Sequence, residues 1–341
     1  MIIVMKPCST DEQVDEIVKV LKSIGLGAHI SKGDMITIIG VIGDKKLLSE
    51  VPLDLMPGVD KLVPIVEAYK LVSKSFKPES SVIDVKGVKI GGKEIVIMAG
   101  PCAVESEEQI HAAAKAVKKS GAKFLRGGSF KPRTSPYAFQ GLEEDGLKMI
   151  YDAAKENDLL IVSEVISEKT LEISDKYVDV FQIGARNVQN FQLLKEVGKS
   201  GKPVVLKRGP ASTIEEWLNA AEYIVSEGNN NVILCERGIR TFETATRNTL
   251  DISAIPVVKK QSHLPIIVDP SHAAGKVHYV LPLAKAAIAA GADGLIVEVH
   301  PDPRHALSDA AQQLTPSLFD LLCQDISKMA PILEREFKYG M

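Results

Sequence analysis

From Glu94 onward, short and almost purely apolar runs alternate with longer segments in which apolar residues recur every three or four positions. Runs rich in Val, Ile and Leu are typical of parallel strands buried on both faces, and the longer segments have the period of amphipathic helices. We predict strands that begin near residues 94, 122, 160, 178, 203, 231, 264 and 293. Helices are predicted between them, at Glu107–Lys119, Glu143–Glu156, Ile214–Ser226 and Val277–Ala290.

This alternation predicts a (β/α)8 TIM barrel over residues 94–341. A doubly wound open sheet is the alternative architecture for an α/β chain. That fold carries a glycine-rich dinucleotide fingerprint in its first strand-to-helix turn. The turn here reads Ala99-Gly-Pro-Cys-Ala, so the barrel is favoured.

Residues 1–66 have a mixed pattern that predicts a separate small domain. Thr10 is a suitable N-cap with Gln13 three residues later, and Lys32-Gly33-Asp34 is a hairpin signal. The predicted order is strand Ile2–Met5, helix Thr10–Ile24, strands Gly27–Ser31 and Met35–Ile42, a helix over Lys45–Met56 that Pro52 disfavours, and strand Val59–Val66. This βαββαβ order predicts a ferredoxin-like domain. Residues 67–93 are predicted to form a linker and a short hairpin, Ser81–Ile90.

The composition of the chain limits the kinds of partner that we expect for the protein. The 341 residues are 45% hydrophobic and 25% charged, with a net charge of −3, so bulk charge predicts neither a nucleic-acid nor a membrane partner. The sequence has no CxxC pair and no secretory signal. We therefore expect a cytoplasmic protein with reduced thiols, at Cys8, Cys102, Cys235 and Cys323.

The densest chemistry follows the second predicted strand, in the loop from Arg126 to Gly141. Arg126, Lys131, Arg133 and Thr134 lie there in a loop stiffened by glycine and proline. Together with cations at other strand ends, they predict a site for strongly anionic ligands with at least one phosphate group. The full set of cations is Arg126, Lys131, Arg133, Arg186, Lys207, Arg208 and Arg237. The alternative for any one of them is simple pairing with Glu164, Glu236 or Asp269.

A second group of residues has metal-ligand chemistry. Cys102, His272, Glu298 and Asp309 follow the first, seventh and eighth predicted strands, and strands one and eight are neighbours in a closed barrel. A thiolate, an imidazole and two carboxylates suit Mn²⁺, Fe²⁺, Zn²⁺ or Co²⁺. His300 is a rival ligand because it lies two residues after Glu298.

Several long motifs resemble those of 3-deoxy-D-arabino-heptulosonate 7-phosphate (DAHP) synthases, in the class related to 3-deoxy-D-manno-octulosonate 8-phosphate (KDO8P) synthase. They are GGSFKPRTSPYAFQG, QIGARN, LKRG, CERGIRTFE, DPSHAAG and IVEVHPDPRHALSD. The resemblance covers about residues 94 to 330 and implies condensation of phosphoenolpyruvate with erythrose 4-phosphate at the start of the shikimate pathway. The first 66 residues resemble the ferredoxin-like regulatory domain of some members; their strands argue against the helical chorismate mutase fusion of others.

The resemblance also implies roles for individual residues. The metal ligands fall on Cys102, His272, Glu298 and Asp309, and the aldose-phosphate contacts fall on Arg133 and Thr134. Glu164 matches a carboxylate near the bound water. Candidates for proton transfer are Lys131, Glu164 and His272. The phosphoenolpyruvate contacts fall on Arg126, Lys131, Gly184, Ala185, Arg186, Lys207 and Arg237.

Three alternative functions remain open from the sequence. A KDO8P synthase would use arabinose 5-phosphate, but its loop typically reads KANR where this chain has Lys131-Pro-Arg-Thr134. A metal-independent Schiff-base aldolase would use Lys207 or Lys131. A sensor for aromatic amino acids would keep the barrel without catalysis.

For the small domain, the resemblance implies feedback inhibition by tyrosine or phenylalanine bound between paired copies. His29 and Ser31 in the hairpin are candidate contacts for that effector. A purely oligomerising domain is the alternative. The resemblance further implies a homotetramer.

Overall fold

The computed structural model describes residues 1–7, 9–32, 37–43, 45–48, 51–63, 68–133 and 135–340. The chain divides into two compact units, Met1–Ala68 and Tyr69–Met341. Within the described residues, no helix has the length and apolar character needed to cross a bilayer.

The first unit is a four-stranded antiparallel sheet with one helix. Its strands follow the order β2-β3-β1-β4, and α1 begins with the predicted capping box between Thr10 and Gln13. Apolar residues of α1 and the sheet form its core, among them Ile3, Ile17 and Ile39. The bounds are β1 Ile2–Met5, α1 Asp11–Ser23, β2 Gly27–Lys32, β3 Thr37–Ile42 and β4 Val59–Val63.

The predicted second helix of this unit is wrong in the described residues. Lys45–Leu48 and Leu53–Leu55 are short 3₁₀ helices instead. Pro52 immediately precedes the second of them. Proline cannot donate the backbone hydrogen bond that an α-helix needs at an interior position, so a continuous α-helix is disfavoured here. The turn at Gly33 and Asp34, the start of the strand at Met35 and the end of the strand at Val66 lie outside the described residues.

The second unit confirms the predicted barrel. Eight parallel strands close in the order β7-β8-β9-β10-β11-β12-β13-β14, with β14 paired to β7. Each strand begins within a few residues of its predicted start. The strands are β7 Val96–Gly100, β8 Phe124–Arg126, β9 Leu160–Val165, β10 Val180–Ile183, β11 Val204–Lys207, β12 Val232–Glu236, β13 Ile266–Val268 and β14 Gly294–Glu298.

Helices surround the barrel, and several begin at capping side chains such as Ser106, Ser167 and Thr213. Their apolar faces pack on the outward-facing strand residues in the largest core of the unit. The helices are α2 Glu107–Lys119, α3 Glu143–Glu156, α4 Glu168–Ser174, α5 Phe191–Lys199, α6 Ile214–Val225, α7 Ala254–Gln261, α8 Pro270–Ala274, α9 Val277–Ala289 and α10 Pro316–Met329.

A short antiparallel hairpin, β5 Ile83–Val85 and β6 Val88–Ile90, packs against the inside of the barrel. Ile83, Val85 and Ile90 join the inward-facing residues of the strands in a separate apolar cluster. Polar and charged residues gather instead at the carboxyl ends of the strands, which is the end where TIM barrels carry their active sites.

Candidate active site

The four residues with metal-ligand chemistry lie together. Cys102 follows β7, His272 lies in α8, Glu298 is the last residue of β14, and Asp309 lies in the loop after it. One ligand atom from each falls within 4.8 Å of those of the other three. Closure of the barrel produces this arrangement, because it pairs β14 with β7.

Asp269 orients His272. Its carboxylate accepts a hydrogen bond from the His272 backbone at 2.9 Å and contacts the Nδ1 atom at 2.7 Å. Burial opposes ionisation of Asp269, but the charges of His272 and Lys207 outweigh it and hold its pKa well below the usual value. Because an ionised carboxylate only accepts, Nδ1 carries a proton, and Nε2 on the other side of the ring lies 3.4 Å from Glu298 and 3.6 Å from Asp309. This is the usual second-sphere arrangement of a metal-binding histidine.

Glu298 and Cys102 are both almost fully buried. Glu298 accepts a hydrogen bond from Arg126 at 3.0 Å, and the charges of His272 and Arg126 lower its pKa although burial opposes this. Burial and the charge of Glu298 raise the pKa of the Cys102 thiol to about 11.

These donors fit a divalent cation. One sulfur, one imidazole nitrogen and two carboxylate oxygens make a mixed set that suits transition metals. Buried carboxylates so close together repel one another unless a cation lies between them. His300 is outside the group, because its Nε2 contacts Glu105 at 3.4 Å and its Nδ1 accepts a backbone hydrogen bond from Asp302.

A cavity of about 540 Å³ opens beside the cluster and is lined by His272 and Asp309. Six of the seven predicted cations line it, together with both predicted backbone positions after β10. Thr134 lies outside the described residues. The predicted residues on its wall are Arg126, Lys131, Arg133, Glu164, Gly184, Ala185, Arg186, Lys207 and Arg237.

Most of these cations are held by other parts of the site. Lys131 Nζ donates to the Cys102 carbonyl at 2.9 Å and to its sulfur at 3.2 Å. Lys207 pairs with Asp269, and Arg186 donates to the carbonyl of Pro132. Arg133 donates to Ser308 Oγ at 2.8 Å.

Arg237 is different, because the described part of the chain offers its side chain no hydrogen bond or ion pair. It is 8% exposed and lines the cavity. Burial lowers its pKa, with Arg247 adding to the effect. A buried guanidinium without a partner favours the arrival of an anion.

Glu164 and Gly184 are fitted to each other across β9 and β10. Gln182 donates to the Glu164 carboxylate at 3.3 Å. A side chain at position 184 would overlap that same carboxylate. A larger residue here would force the Glu164 carboxylate to shift, whereas glycine leaves it at the cavity wall.

The prediction that Arg208 faces this cavity is wrong. Its guanidinium pairs with Glu236 at 2.8 Å and Asp251 at 2.9 Å, and it is not among the residues of the cavity wall. Successive residues of a strand point to opposite sides. Lys207 therefore faces the cavity while Arg208 packs behind it, near the ring of Trp217.

Several residues of the site were not assigned to it from the sequence, although Asp269 was named as a possible partner of the cations. Asp269, Arg240, Arg247 and Gln312 each line the cavity or hydrogen bond to the cluster. Asp269 carried a signal, because an N-cap three residues before His272 shares a helical turn with it. The other three lie in loops without periodicity.

His29 and Ser31 lie in β2, an edge strand of the first unit, and both are exposed. His29 is opposite Gly40 and Ser31 is opposite Ile38 in β3. An edge strand offers unpaired backbone groups to a ligand or to another strand.

The chain is similar to known proteins over nearly its whole length. The sequence pattern of the DAHP synthetase I family matches residues 31–333. The chain is 51% identical to a phospho-2-dehydro-3-deoxyheptonate aldolase of Thermotoga maritima over 98% of each protein. It is 31% identical to a 2-dehydro-3-deoxyphosphooctonate aldolase of Syntrophotalea carbinolica, over 68% of this chain and 90% of that protein.

Two solved structures are similar as well. The crystal structure of the phospho-2-dehydro-3-deoxyheptonate aldolase (DAHP synthase) from Thermotoga maritima has a TM-score of 0.80 and 50% identity, and 99% of each chain is covered. A truncated form of 3-deoxy-D-arabino-heptulosonate 7-phosphate synthase from Thermotoga maritima has a TM-score of 0.74 and 50% identity. It covers 79% of this chain and 99% of its own.

Proposed function

The chain belongs to the DAHP synthetase I family, and from that membership we propose that it condenses phosphoenolpyruvate with erythrose 4-phosphate and water. The products are DAHP and inorganic phosphate. The observation that carries this proposal is the meeting of eight cations, six of them predicted, and a four-residue metal-type cluster at one cavity. Two phosphorylated substrates need that density of positive charge.

Phosphoenolpyruvate occupies the deeper part of the proposed site. Its phosphate and carboxylate are bound by Arg126, Lys131, Arg186, Lys207 and Arg237, with the backbone at Gly184 and Ala185 closing the wall. Lysine gives a compact charge and arginine a bidentate one, so the two anionic groups are fixed in orientation. Erythrose 4-phosphate is assigned to Arg133 and Thr134, and its aldehyde carbon must lie near C3 of phosphoenolpyruvate for the bond to form.

The reaction forms a carbon–carbon bond and a carbon–oxygen bond from water to C2, and it breaks the carbon–oxygen bond between C2 and the phosphate group. C3 of phosphoenolpyruvate attacks the aldehyde carbon; the Lys131 ammonium stabilises the negative charge that develops on the aldehyde oxygen, which then takes up a proton. Water adds to C2, and Glu164 orients it and accepts a proton. Phosphate then leaves with its bridging oxygen. The rigid strand ends supply positioning more than covalent chemistry.

A divalent ion, Mn²⁺, Fe²⁺, Zn²⁺ or Co²⁺, would be held by Cys102, His272, Glu298 and Asp309. When bound, such an ion acts as a Lewis acid toward the aldehyde.

The substrate choice is tested by phosphate release from phosphoenolpyruvate in the presence of Mn²⁺, with either erythrose 4-phosphate or arabinose 5-phosphate. We expect turnover with erythrose 4-phosphate only, because Pro132 stands where the longer-aldose relatives have a different loop. Equal or faster turnover of arabinose 5-phosphate would reassign the protein to KDO8P synthesis.

The Schiff-base alternative is disfavoured at Lys131 by the pKa of its ammonium group. A nucleophilic lysine needs a lowered pKa. Burial opposes the charge of Lys131, yet the Cys102 sulfur and the carboxylates of Glu164 and Glu298 outweigh it and raise the pKa. Borohydride reduction in the presence of substrate is expected to leave the mass of the protein unchanged; a covalent adduct on Lys131 or Lys207 would favour the alternative.

For residues 1–66 we propose feedback inhibition by tyrosine or phenylalanine. The exposed edge strand β2 with His29 and Ser31 supports an effector site on this unit. One of the similar structures is a truncated form that covers 79% of this chain, which supports truncation of this chain as an experiment.

A further inference from the structure

Gln312 ends the short 3₁₀ turn that follows Asp309, and it is only 2% exposed. Its side-chain nitrogen donates to Glu298 Oε2 at 2.6 Å and lies 3.4 Å from Asp309 Oδ2. Its side-chain oxygen accepts a hydrogen bond from Arg247 at 3.0 Å. One neutral amide therefore contacts two of the four residues of the cluster and one cation of the cavity wall.

The contact with Arg247 fixes the orientation of this amide. Arginine only donates hydrogen bonds and an ionised carboxylate only accepts them. The Gln312 oxygen must therefore face Arg247, and both N–H groups face the carboxylates of Glu298 and Asp309. Rotation of the amide by half a turn would break all three contacts at once.

His272 and Cys102 also lie near these carboxylates, at 3.4 to 3.7 Å, but theirs are the atoms that would bind the cation. Glu298 Oε1 is bonded by Arg126, so Gln312 provides the side-chain hydrogen bond of the other oxygen. Asp309 has a left-handed backbone, with φ of 49°, and its Oδ2 contacts Arg247 at 3.3 Å. A loop in this conformation does not by itself fix where a carboxylate points.

We propose that Gln312 is a positioning residue that holds Glu298 and Asp309 in the geometry that binds the divalent cation. This inference rests on the metal cluster of the proposed function. Gln312 adds no charge to the cluster, so it aligns two anions without competing for the cation. Residues in this role typically change metal affinity by about 10- to 100-fold when they are replaced.

The test measures metal binding directly, on the full-length protein stripped with EDTA. Gln312→Met keeps the length of the side chain and removes the donors. We expect Mn²⁺ to bind about 10- to 100-fold more weakly by calorimetry, and the visible absorption spectrum of the Co²⁺-loaded variant to change shape. A role limited to general stability would leave the spectrum of the bound Co²⁺ unchanged.

Gln324→Met is the matched control. Gln324 also donates to a carboxylate, that of Asp320 at 2.8 Å, but its partners are Asp320 and Tyr339 in place of the cluster. We expect this variant to bind Mn²⁺ as the wild type does. If Gln312→Met does not fold, Gln312→Asn keeps the donors with a shorter reach and is judged by the same measurements.

Failure of the positioning role of Gln312 can be distinguished from failure of the metal site itself. If the wild type binds Mn²⁺ and a folded Gln312 variant binds it within about twofold, with an identical Co²⁺ spectrum, the positioning role is wrong while the cluster stands. If the wild type itself binds neither Mn²⁺ nor Co²⁺, the metal cluster is wrong and this inference is overturned with it.

Discussion

At the scale of single residues, the site depends on side chains that are far apart in the sequence. Cys102 and Asp309 are separated by most of the barrel, yet the Cys102 sulfur lies 3.7 Å from the Asp309 carboxylate. Neither residue belongs to a short motif. Their chemistry was recognisable because both follow strands that a closed barrel makes neighbours, and because the family resemblance implies the same residues.

Replacement of Cys102 by alanine is expected to weaken Mn²⁺ binding by at least about 100-fold, since it removes a direct ligand rather than a supporting contact. Calorimetric titration of the EDTA-stripped variant measures this. Cys323→Ala is the control, because Cys323 is buried in α10 and has no part in the cluster. Wild-type affinity in Cys102→Ala would remove the thiol from the ligand set.

His263 predicts a pH effect on stability that is independent of the active site. It is 4% exposed, and its Nε2 contacts the Leu71 carbonyl at 2.8 Å. Since a carbonyl only accepts, Nε2 carries the proton and Nδ1 accepts from Ser81, whose oxygen in turn accepts from Lys77. Burial lowers the pKa of His263; the Leu71 contact opposes this, and the charges of Lys77 and Lys74 add to it.

The direction of this pH effect on stability follows from proton uptake by the unfolded chain. Below about pH 6.5 the unfolded chain binds a proton at this histidine that the folded protein resists, so stability falls as the pH falls. One proton gives a slope of at most about 1.4 kcal/mol per pH unit. We expect His263→Gln to lose less stability than the wild type between pH 7 and 5 in urea unfolding. Parallel curves for the two proteins would contradict the assignment.

Individual residues also show which parts of the site could not be predicted from the sequence. The four cluster residues and six cavity cations were predicted because each follows an apolar run. Gln312 was not, because an amide in a loop has no distinctive pattern and its role depends on contacts with Glu298 and Arg247. Its importance becomes visible only when the distances are known.

At the scale of elements, the end of β11 carries two adjacent cations whose side chains face opposite sides of the strand. Lys207 pairs with Asp269 on the cavity side, whereas Arg208 pairs with buried Glu236 behind the strand. Two adjacent cations that look alike in the sequence therefore have different roles. The alternation of side chains along the strand causes this, but the sequence alone did not show which of the two faced the cavity.

This difference is testable with a matched pair of variants. Arg208→Met leaves Glu236 buried without its ionic partner and is expected to cost about 3–5 kcal/mol of stability, with kcat/KM little changed while the protein is folded. Lys207→Met is expected to lower kcat/KM by about 10- to 100-fold, the effect of one charged hydrogen bond. Urea unfolding and steady-state kinetics separate the two effects, and the reverse pattern would exchange their roles.

Gly184, which follows β10, leaves room for the Glu164 carboxylate of β9. Gly184→Ala forces the Glu164 carboxylate to move, and a displacement of about 1 Å is expected to lower kcat/KM about 100-fold. Gly92→Ala is the control, because a Cβ there meets only Val82 at 3.9 Å. Unchanged kinetics in Gly184→Ala would show that the position of Glu164 does not matter for turnover.

The strands themselves were the most predictable feature. Buried parallel strands need nearly continuous apolar runs, and that requirement leaves a strong signal in the sequence. The second helix of the first unit was mispredicted because Pro52 interrupts a segment of otherwise helical pattern, and local proline geometry prevailed.

At the scale of the whole molecule, the chain combines a catalytic barrel with a small sheet unit. Deletion of residues 1–66 is expected to keep the condensation activity, because the cavity and the cluster belong to the second unit. The same deletion is expected to abolish inhibition by tyrosine or phenylalanine. Initial rates of both proteins with and without each amino acid test this. An intact protein that no aromatic amino acid inhibits would refute the regulatory proposal.

The central claim is that one cavity performs a metal-dependent condensation. The most direct test is phosphate release from phosphoenolpyruvate and erythrose 4-phosphate by protein stripped with EDTA, before and after Mn²⁺ is restored. We predict no turnover by the stripped protein and full turnover after Mn²⁺ is added. Full turnover by the stripped protein would contradict the role assigned to Cys102, His272, Glu298 and Asp309.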